Sequence, residues 1–257
     1  TGTALEYTKL PFRYWYVAMH LLTTTKKSFS ASELQRQLGH KRYQPIWEMH
    51  KKLGDIMGKR DNEYQLSGQI ELDNAFITTL ISDDSKNEEL KRGAGSQNKS
   101  KVLVMTESIV VENPKPGKKP KKINHIKMQV VPDLKADTAV EIVKEQIDST
   151  AELTTDDSKT FYKLKQAVES HKAQVIKPED LQKILPWVHI SIANVKRLLL
   201  DMHHQLKKEY LQYYLNEYCF KFNRRYFGER MFDRLVFAAA NYNTDFKSRI
   251  YNRSLCG

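Results

Sequence analysis

Residues 69–77 form a β-prone stretch in which positions 70–73 alternate between apolar and acidic side chains, and this stretch constrains the fold more than any other part of the chain. Alternation predicts a strand, because successive side chains of a strand point to opposite faces. Ile70 and Leu72 then lie on one face, and Glu71 and Asp73 lie on the other. An acid inside a core strand costs free energy unless it is paired or holds a metal ion, so Asp73 requires a partner. The alternative is an edge strand whose acidic face lies in water.

The length of 257 residues allows one large domain or two small ones. No apolar run approaches the roughly 20 residues that a membrane span needs, so we expect no membrane contact. The two cysteines, Cys219 and Cys256, lie in unrelated settings without a C-x-x-C pair. A structural zinc site is therefore not expected, and a reducing compartment fits this cysteine usage.

The net charge of +11 favours a polyanionic partner, because Lys and Arg supply most nucleic-acid affinity by neutralising phosphates. The basic residues cluster in segments 86–127 and 193–257. This clustering favours a nucleic-acid partner over the alternative of a generally basic protein. We therefore expect a cytoplasmic protein that associates with the nucleoid.

The first 62 residues are interpreted as a helical DNA-binding domain. Apolar spacing predicts helices at residues 10–22, 33–38 and 44–57, with Ser30 or Ser32 as the N-cap of the second. A short helix, a turn containing Gly39 and a longer basic helix are typical of a helix-turn-helix. A small three-helix bundle without that function is the alternative.

Residues 63–225 are interpreted as a mixed α/β domain, and residues 226–257 as a C-terminal helical tail. Three β-prone strands come first, followed by alternating helices and strands, an order that predicts a mixed sheet flanked by helices. Basic loops are expected at 82–101 and 113–122. The predicted elements are strands at 69–77, 101–111 and 123–131, a helix at 136–147, a strand at 151–155, a helix at 161–168, a strand at 173–176, and helices at 189–204 and 209–222.

Several sequence blocks resemble one family when they are taken in order. They are residues 9–15, 32–39, 71–73, 91–99, 102–104, 155–156, 188–189 and 215–225. The chain resembles the insertion-sequence transposases of the ISXO-like group, in the DDE superfamily, whose catalytic domain is ribonuclease-H-like. The zinc-ribbon that the family commonly has ahead of the helical segment is not in this sequence, and the chain does not begin with Met. We therefore expect an N-terminal truncation.

The resemblance implies a catalytic set of Asp73, Asp156 and Asn194, with Asn194 where the family often has Glu. Asp73 would bridge two divalent cations, Mg²⁺ or Mn²⁺, as in two-metal phosphoryl transfer. Asp156 would bind one ion and the amide oxygen of Asn194 the other, since hard cations prefer oxygen ligands. Asp157 is an alternative to Asp156 as a ligand.

Two further residues near these motifs have open interpretations. Glu71 is either a residue that supports the metal ligands or a plain solvated acid. His189 is expected to orient the start of its helix or to contact DNA, and a capping histidine is the alternative.

The candidate DNA contacts are basic residues of the helical segment, of the expected loops and of the C-terminal helices. The lysines of segment 118–122 would contact phosphates without reading sequence, and a solvated loop is the alternative. The full set comprises Arg36, Lys41, Arg42, Lys91, Arg92, Lys118, Lys119, Lys121, Lys122, Lys196, Arg197, Arg224 and Arg225.

The function implied by the resemblance is metal-dependent cleavage of DNA at the ends of an insertion sequence and transfer of the cut strands to a target. The expected partners are the terminal inverted repeats, the target DNA and further copies of the chain in a homo-oligomer. Two alternatives remain open. One is a catalytically inactive DNA-binding relative, which Asn194 supports, and the other is a hydrolytic nuclease of the same fold.

Overall fold

The computed structural model describes residues 2–6, 8–81, 89, 91, 93, 96–114, 116–117, 119–175, 184–203 and 205–246. The chain divides into two compact units. The first comprises Thr1–Glu63 and Asn216–Gly257, and the second comprises Tyr64–Leu215. This division differs from the predicted one, which ended the α/β domain at residue 225 and separated a tail at 226–257.

The first unit is helical and includes the three helices predicted near the N-terminus. They are α1 (Phe12–Thr24), α2 (Ala31–Leu38) and α3 (Tyr43–Asp61). Ser30 is the N-cap of α2, since its side chain accepts a hydrogen bond from the Glu33 amide. Gly39 ends α2 in the left-handed conformation, with φ at 62°.

The apolar core of the first unit explains why the C-terminal segment belongs to it. Helix α7 (Arg230–Asn241) packs against α1 and α3, and Met231 and Leu235 join a core that contains Trp15 and Leu53. In α3, no residue between positions 44 and 61, all of which the structure describes, is exposed. This burial favours the central helix of a bundle over a recognition helix that is open along its length.

The second unit contains a five-stranded mixed sheet in the order β3-β2-β1-β4-β5. Strands β1, β2 and β3 pair antiparallel, whereas β4 pairs parallel with both β1 and β5. This is the ribonuclease-H-like sheet that the resemblance implies. The strands are β1 (Gln69–Thr78), β2 (Lys99–Val110), β3 (Lys121–Val131), β4 (Glu152–Asp156) and β5 (Ser170–Gln174).

Helices cover both faces of this sheet. Val140 and Val143 of helix α4 (Ala136–Gln146) belong to the same apolar core cluster as Ile70 and Leu72 of β1. Helix α5 (Pro186–Met202) lies against β1, β2 and β3. Since Glu71 accepts hydrogen bonds from backbone amides of α5, the acidic face of β1 points towards α5, as the alternation predicts. Helix α6 (Leu211–Asn223) spans the boundary between the two units.

Several local expectations also differ from the structure, among them the strand predicted at 173–176, which the structure has at Ser170–Gln174. The helix predicted at 161–168 is wrong, because this segment contains turns and a single 3₁₀ turn at Leu164–Gln166. Phe161, Leu164 and Ala167 are buried at a spacing of three, which suits the 3.0 residues per turn of a 3₁₀-helix. The predicted basic loops are also shorter than expected, since residues 99–101 belong to β2 and residues 121–122 belong to β3.

No helix in the described ranges is long and apolar enough to cross a membrane.

Candidate active site

Two aspartates meet where β1 and β4 run side by side. The last parallel pair in the register joins Leu72 to Thr155, so Asp73 and Asp156 are the next residues along the two strands. Neighbouring strands lie about 4.8 Å apart, and residues in register point to the same face. Both aspartates line one pocket of about 370 Å³. The other lining residues are Asp157, Ser158, Val175, Leu185 and His189.

The pocket raises the pKa of both carboxyl groups. Burial and, to a smaller extent, the nearby charge of Asp156 raise the pKa of Asp73 to about 6, although the Asn74 amide and Lys196 oppose this rise. Burial also raises the pKa of Asp156 above its ordinary value, with a further contribution from Asp157. These two acids therefore repel each other in a site that disfavours negative charge, and a cation would relieve both effects.

His189 is the third polar residue of this arrangement. Its Nδ1 lies 3.6 Å from Oδ2 of Asp73. Its Nε2 is buried and has no hydrogen-bond partner among the described residues. Burial lowers the pKa of His189, although the charge of Asp156 opposes this. The imidazole is therefore neutral near pH 7 and has one nitrogen lone pair available.

Asn194 does not line this pocket, and its side chain is exposed on α5. It follows His189 by five residues, which places it about 140° around the helix. Lys196 follows His189 by seven residues, a rotation of only about 20°, and its charge acts on Asp73. The structure therefore brings Asp73, Asp156 and His189 together and leaves Asn194 on another side of α5.

The spacing of polar residues along α5 is a sequence signal for His189. A separation of seven residues places two side chains on the same side of a helix. His189 and Lys196 have this spacing, whereas Asn194 does not share a side with either. The resemblance alone selected Asn194.

Asp157 and Glu71, whose roles the sequence left undecided, have different environments in the structure. Asp157 also lines the pocket but is exposed, whereas Asp156 is half-buried and acts on the pKa of Asp73. Glu71 is not a plain solvated acid. Its Oε2 accepts hydrogen bonds from the Trp187 and Val188 amides, and burial raises its pKa to about 7 although these amides lower it.

Most candidate DNA contacts are accessible, but Arg224 is buried. Its Nη1 lies 2.5 Å from Oδ1 of Asp61, and its guanidinium stacks on the Phe220 ring at 3.9 Å. We correct its predicted role, because these contacts are structural. Arg92 and Lys118 lie outside the described residues. Arg36, Lys41, Arg42, Lys91, Lys119, Lys122 and Arg197 are exposed, and Lys121, Lys196 and Arg225 are half-buried.

The pocket has donors that suit a divalent cation, although the described ranges contain no cluster of three or more His, Cys, Asp or Glu residues that could hold one. Mg²⁺ commonly uses one or two protein carboxylates and completes its coordination with water and substrate phosphates. Asp73 and Asp156 fit this requirement, since they lie on neighbouring parallel strands and line the same pocket. The neutral imidazole of His189, whose Nδ1 lies 3.6 Å from Oδ2 of Asp73, adds a nitrogen donor beside them.

Comparison with known families agrees with this fold. A profile described as the ISXO2-like transposase domain matches residues 65–223. The chain belongs to the ISXO2-like transposase family. The match begins just before β1 and ends with α6, so it covers the whole sheet and the pocket of this family member. The predicted family is thus confirmed. The comparison with curated protein sequences gives no significant match.

Solved transposase structures are distant neighbours of this ISXO2-like transposase. A pre-cleavage Mos1 transpososome has a TM-score of 0.34 and 10% identity, over 94% of this chain and 82% of that chain. The Mos1 strand transfer complex has a TM-score of 0.32 and 10% identity over the same shares. The Mos1 paired-end complex with left transposon end also gives 0.32 and 10%, over 92% of this chain and 82% of that chain. The family membership rests on the sequence match rather than on these similarities.

Proposed function

We propose that the pocket formed by Asp73, Asp156 and His189 is the active site of a metal-dependent DNA transposase. It would cleave strands at the ends of an insertion sequence and join them to target DNA. The observation that carries this proposal is the pair of adjacent, partly buried carboxyl groups in one pocket, with Nδ1 of His189 lying 3.6 Å from Oδ2 of Asp73. Such a group of perturbed acids in a pocket is typical of phosphoryl-transfer sites that bind Mg²⁺ or Mn²⁺.

Each residue has a separate role in this proposal. Asp73 and Asp156 would hold the divalent ions, of which two are expected. When bound, the ions would stabilise charge on the scissile phosphate and activate the attacking hydroxyl group. His189 would offer a neutral nitrogen and orient Asp73. Asn194 as a ligand stays a prediction, and it is tested beside His189 below.

DNA as the partner is supported by charge and by exposed basic residues. The net charge is +11, and Lys41, Arg42 and Lys119 are among the exposed candidates. Close to the pocket, Lys196 lies on the same side of α5 as His189, where it would contact a phosphate of the strand that reacts. The terminal inverted repeats and the homo-oligomer remain predictions.

The test is a cleavage and joining assay with the DNA that flanks the gene. A plasmid would carry this flanking DNA on both sides of a marker, and a second plasmid would serve as target. We expect Mg²⁺- or Mn²⁺-dependent nicking and joined products from the unaltered protein. Asp73→Asn, Asp156→Asn and His189→Ala should reduce both by at least about 100-fold, the scale of lost charge stabilisation at a catalytic centre. Asp157→Asn, one residue beyond β4, is the matched control, and Asn194→Ala tests the predicted ligand in the same helix as His189.

The alternatives predict different products in this assay. A nuclease would give cut DNA without joined products. An inactive relative would bind the plasmid ends but leave them intact with either metal. Cleavage that survives Asp73→Asn would show that the pocket is not the active site, and loss of activity in Asn194→Ala with retention in His189→Ala would restore Asn194 as the third residue.

A further inference from the structure

Helix α5 begins without a local cap. Leu185 is the N-cap residue and provides no side-chain hydrogen bond, and Pro186 occupies the first turn without an N–H group. The amides of Trp187 and Val188 are therefore the first backbone donors of the helix. Such amides need an acceptor, and the positive end of the helix dipole favours an anionic one.

Glu71 of β1 supplies that acceptor from a distant part of the chain. One carboxylate oxygen, Oε2, accepts from the Trp187 amide at 2.8 Å and from the Val188 amide at 2.9 Å. Hydroxyl groups and a lysine also contact this turn, and Nζ of Lys119 lies 5.0 Å from the centre of the Trp187 ring. Ser191 Oγ donates to the Trp187 carbonyl at 3.0 Å and accepts from Thr106 Oγ1 of β2 at 3.2 Å.

The position of Glu71 links the two sides of the pocket. Glu71 and Asp73 are two residues apart on β1, so their side chains share a face. The amides that Glu71 holds belong to the two residues next to His189. The carboxylate therefore joins the strand that carries Asp73 to the helix turn that carries His189, and the resulting separation between Oδ2 and Nδ1 is 3.6 Å.

We infer that Glu71 is a positioning residue, which holds the first turn of α5 so that the His189 imidazole faces Asp73. This inference rests on the proposed function of the pocket. Glu71 itself touches neither DNA nor metal in this account. Residues that orient metal-binding groups typically affect affinity or activity about 10–100-fold when they are replaced.

Three substitutions separate the reach of the Glu71 side chain from its charge. Glu71→Gln keeps an acceptor oxygen at the same distance but removes the charge. Glu71→Asp keeps the charge but is one methylene too short to reach the two amides. Glu71→Ala removes both. A positioning role predicts that Gln preserves the site and that Asp and Ala disturb it, whereas a metal ligand or proton acceptor would be disabled by Gln as well.

Asp133 offers a matched control at another helix start in the same unit. Its Oδ1 accepts from the Lys135 amide at 3.1 Å and from Thr138 Oγ1 at 2.8 Å, just before α4. Asp133→Ala therefore removes a carboxylate from a helix N-terminus outside the pocket. It should match Glu71→Ala in any general loss of stability but leave the pocket unchanged.

The first measurements need no metal and no DNA. Hydrogen exchange at the Trp187 and Val188 amides should accelerate at least about tenfold in Glu71→Ala and Glu71→Asp, since their acceptor is lost. The His189 ring signals, identified with His189→Gln, should shift or broaden in these two variants only. Unchanged exchange and unchanged ring signals in Glu71→Ala would overturn the inference.

The second measurement is the Mn²⁺ dependence of plasmid cleavage. Glu71→Ala and Glu71→Asp should raise the Mn²⁺ concentration for half-maximal rate about 10–100-fold, while DNA affinity stays within twofold. Glu71→Gln should restore most of the rate, and equal loss in Gln and Ala would overturn the positioning role. If the unaltered protein shows no cleavage that depends on Asp73, the proposed function fails, but amide exchange and the His189 signals still decide the role of Glu71.

Discussion

Asp73→Asn should stabilise the metal-free protein at neutral pH, although it should abolish activity. Burial and the charge of Asp156 raise the pKa of Asp73 from 3.8 to about 6, and its side chain is only 16% exposed. Each pKa unit corresponds to about 1.36 kcal/mol, so ionised Asp73 costs the folded state about 3 kcal/mol. The substitution removes this cost, while the amide oxygen can still accept from the Asn74 N–H.

The sign of the pH dependence follows from the raised pKa. The folded state binds a proton at Asp73 more tightly than the unfolded state, so the free energy of unfolding falls as pH rises from 3.8 to about 6. The advantage of Asp73→Asn should therefore be absent at low pH. It should reach about half its full size near pH 5 and its full size above pH 7.

Urea unfolding in EDTA at pH 5 and pH 8 measures this difference directly. The melting temperature of Asp73→Asn at pH 8 should be about 6–12 °C above that of the unaltered protein, since 1 kcal/mol shifts the melting temperature of a domain this size by about 2–4 °C. Asp157→Asn, at an exposed position beside the pocket, should change stability by less than about 0.5 kcal/mol at either pH. A loss of stability in Asp73→Asn, or a gain that is equal at both pH values, would refute the reasoning.

Two further predictions concern buried charges in the first unit. Burial opposes ionisation of Glu217, but the hydrogen bond to His50 and the charge of Lys221 lower its pKa to about 2. The stabilisation by ionised Glu217 is thus fully present above pH 4.5 and is lost as pH falls towards 2. Glu217→Gln should therefore lower the free energy of unfolding by about 3 kcal/mol at pH 7 and by less than half of that at pH 3, as measured by urea unfolding. Arg224→Ala should lower the free energy of unfolding by about 3–5 kcal/mol, because it removes the positive charge that neutralises buried Asp61. The DNA affinity of this variant at fixed salt should fall less than that of Arg42→Ala.

The strands and their polar residues were predictable because a strand has a simple period. Alternation placed Glu71 and Asp73 on one face, and the observed β1 extends only one residue beyond the predicted end. Asp156 was expected at a strand end and is the last residue of β4. Each of these inferences depends on local periodicity alone, which the sequence contains in full.

The third residue of the pocket depends on the rotation of α5 about its axis. That rotation is set by the burial of Val188, Val195 and Leu199 against the sheet. The resemblance selected Asn194 by its position in a motif and did not consider which side of the helix would face Asp73. Helical spacing was available for this purpose, and it favours His189.

Other features result from contacts between distant parts of the chain and have no local signal. Glu71 accepts from amides 116 and 117 residues away. Arg224 contacts Asp61 across 163 residues. A basic residue near the C-terminus was therefore interpreted as a DNA contact, although its partner makes it structural. Composition describes the total charge of a chain but not which charges are already paired.

The choice of histidine over a carboxylate as the third pocket residue has an electrostatic consequence. Asp73 already titrates at about 6 with one neighbouring acid, Asp156. A third carboxylate at position 189 would raise both pKa values further, because like charges in a partly buried site disfavour ionisation. A neutral imidazole contributes a donor without this repulsion, but it also attracts a cation less strongly.

We therefore expect the His189→Glu variant to bind Mn²⁺ more tightly than the unaltered protein at pH 8 in calorimetric titration. This gain should be lost at pH 6, where the introduced carboxyl group is protonated. Equal affinity of the two proteins at pH 8 would show that position 189 does not contribute to the ion site.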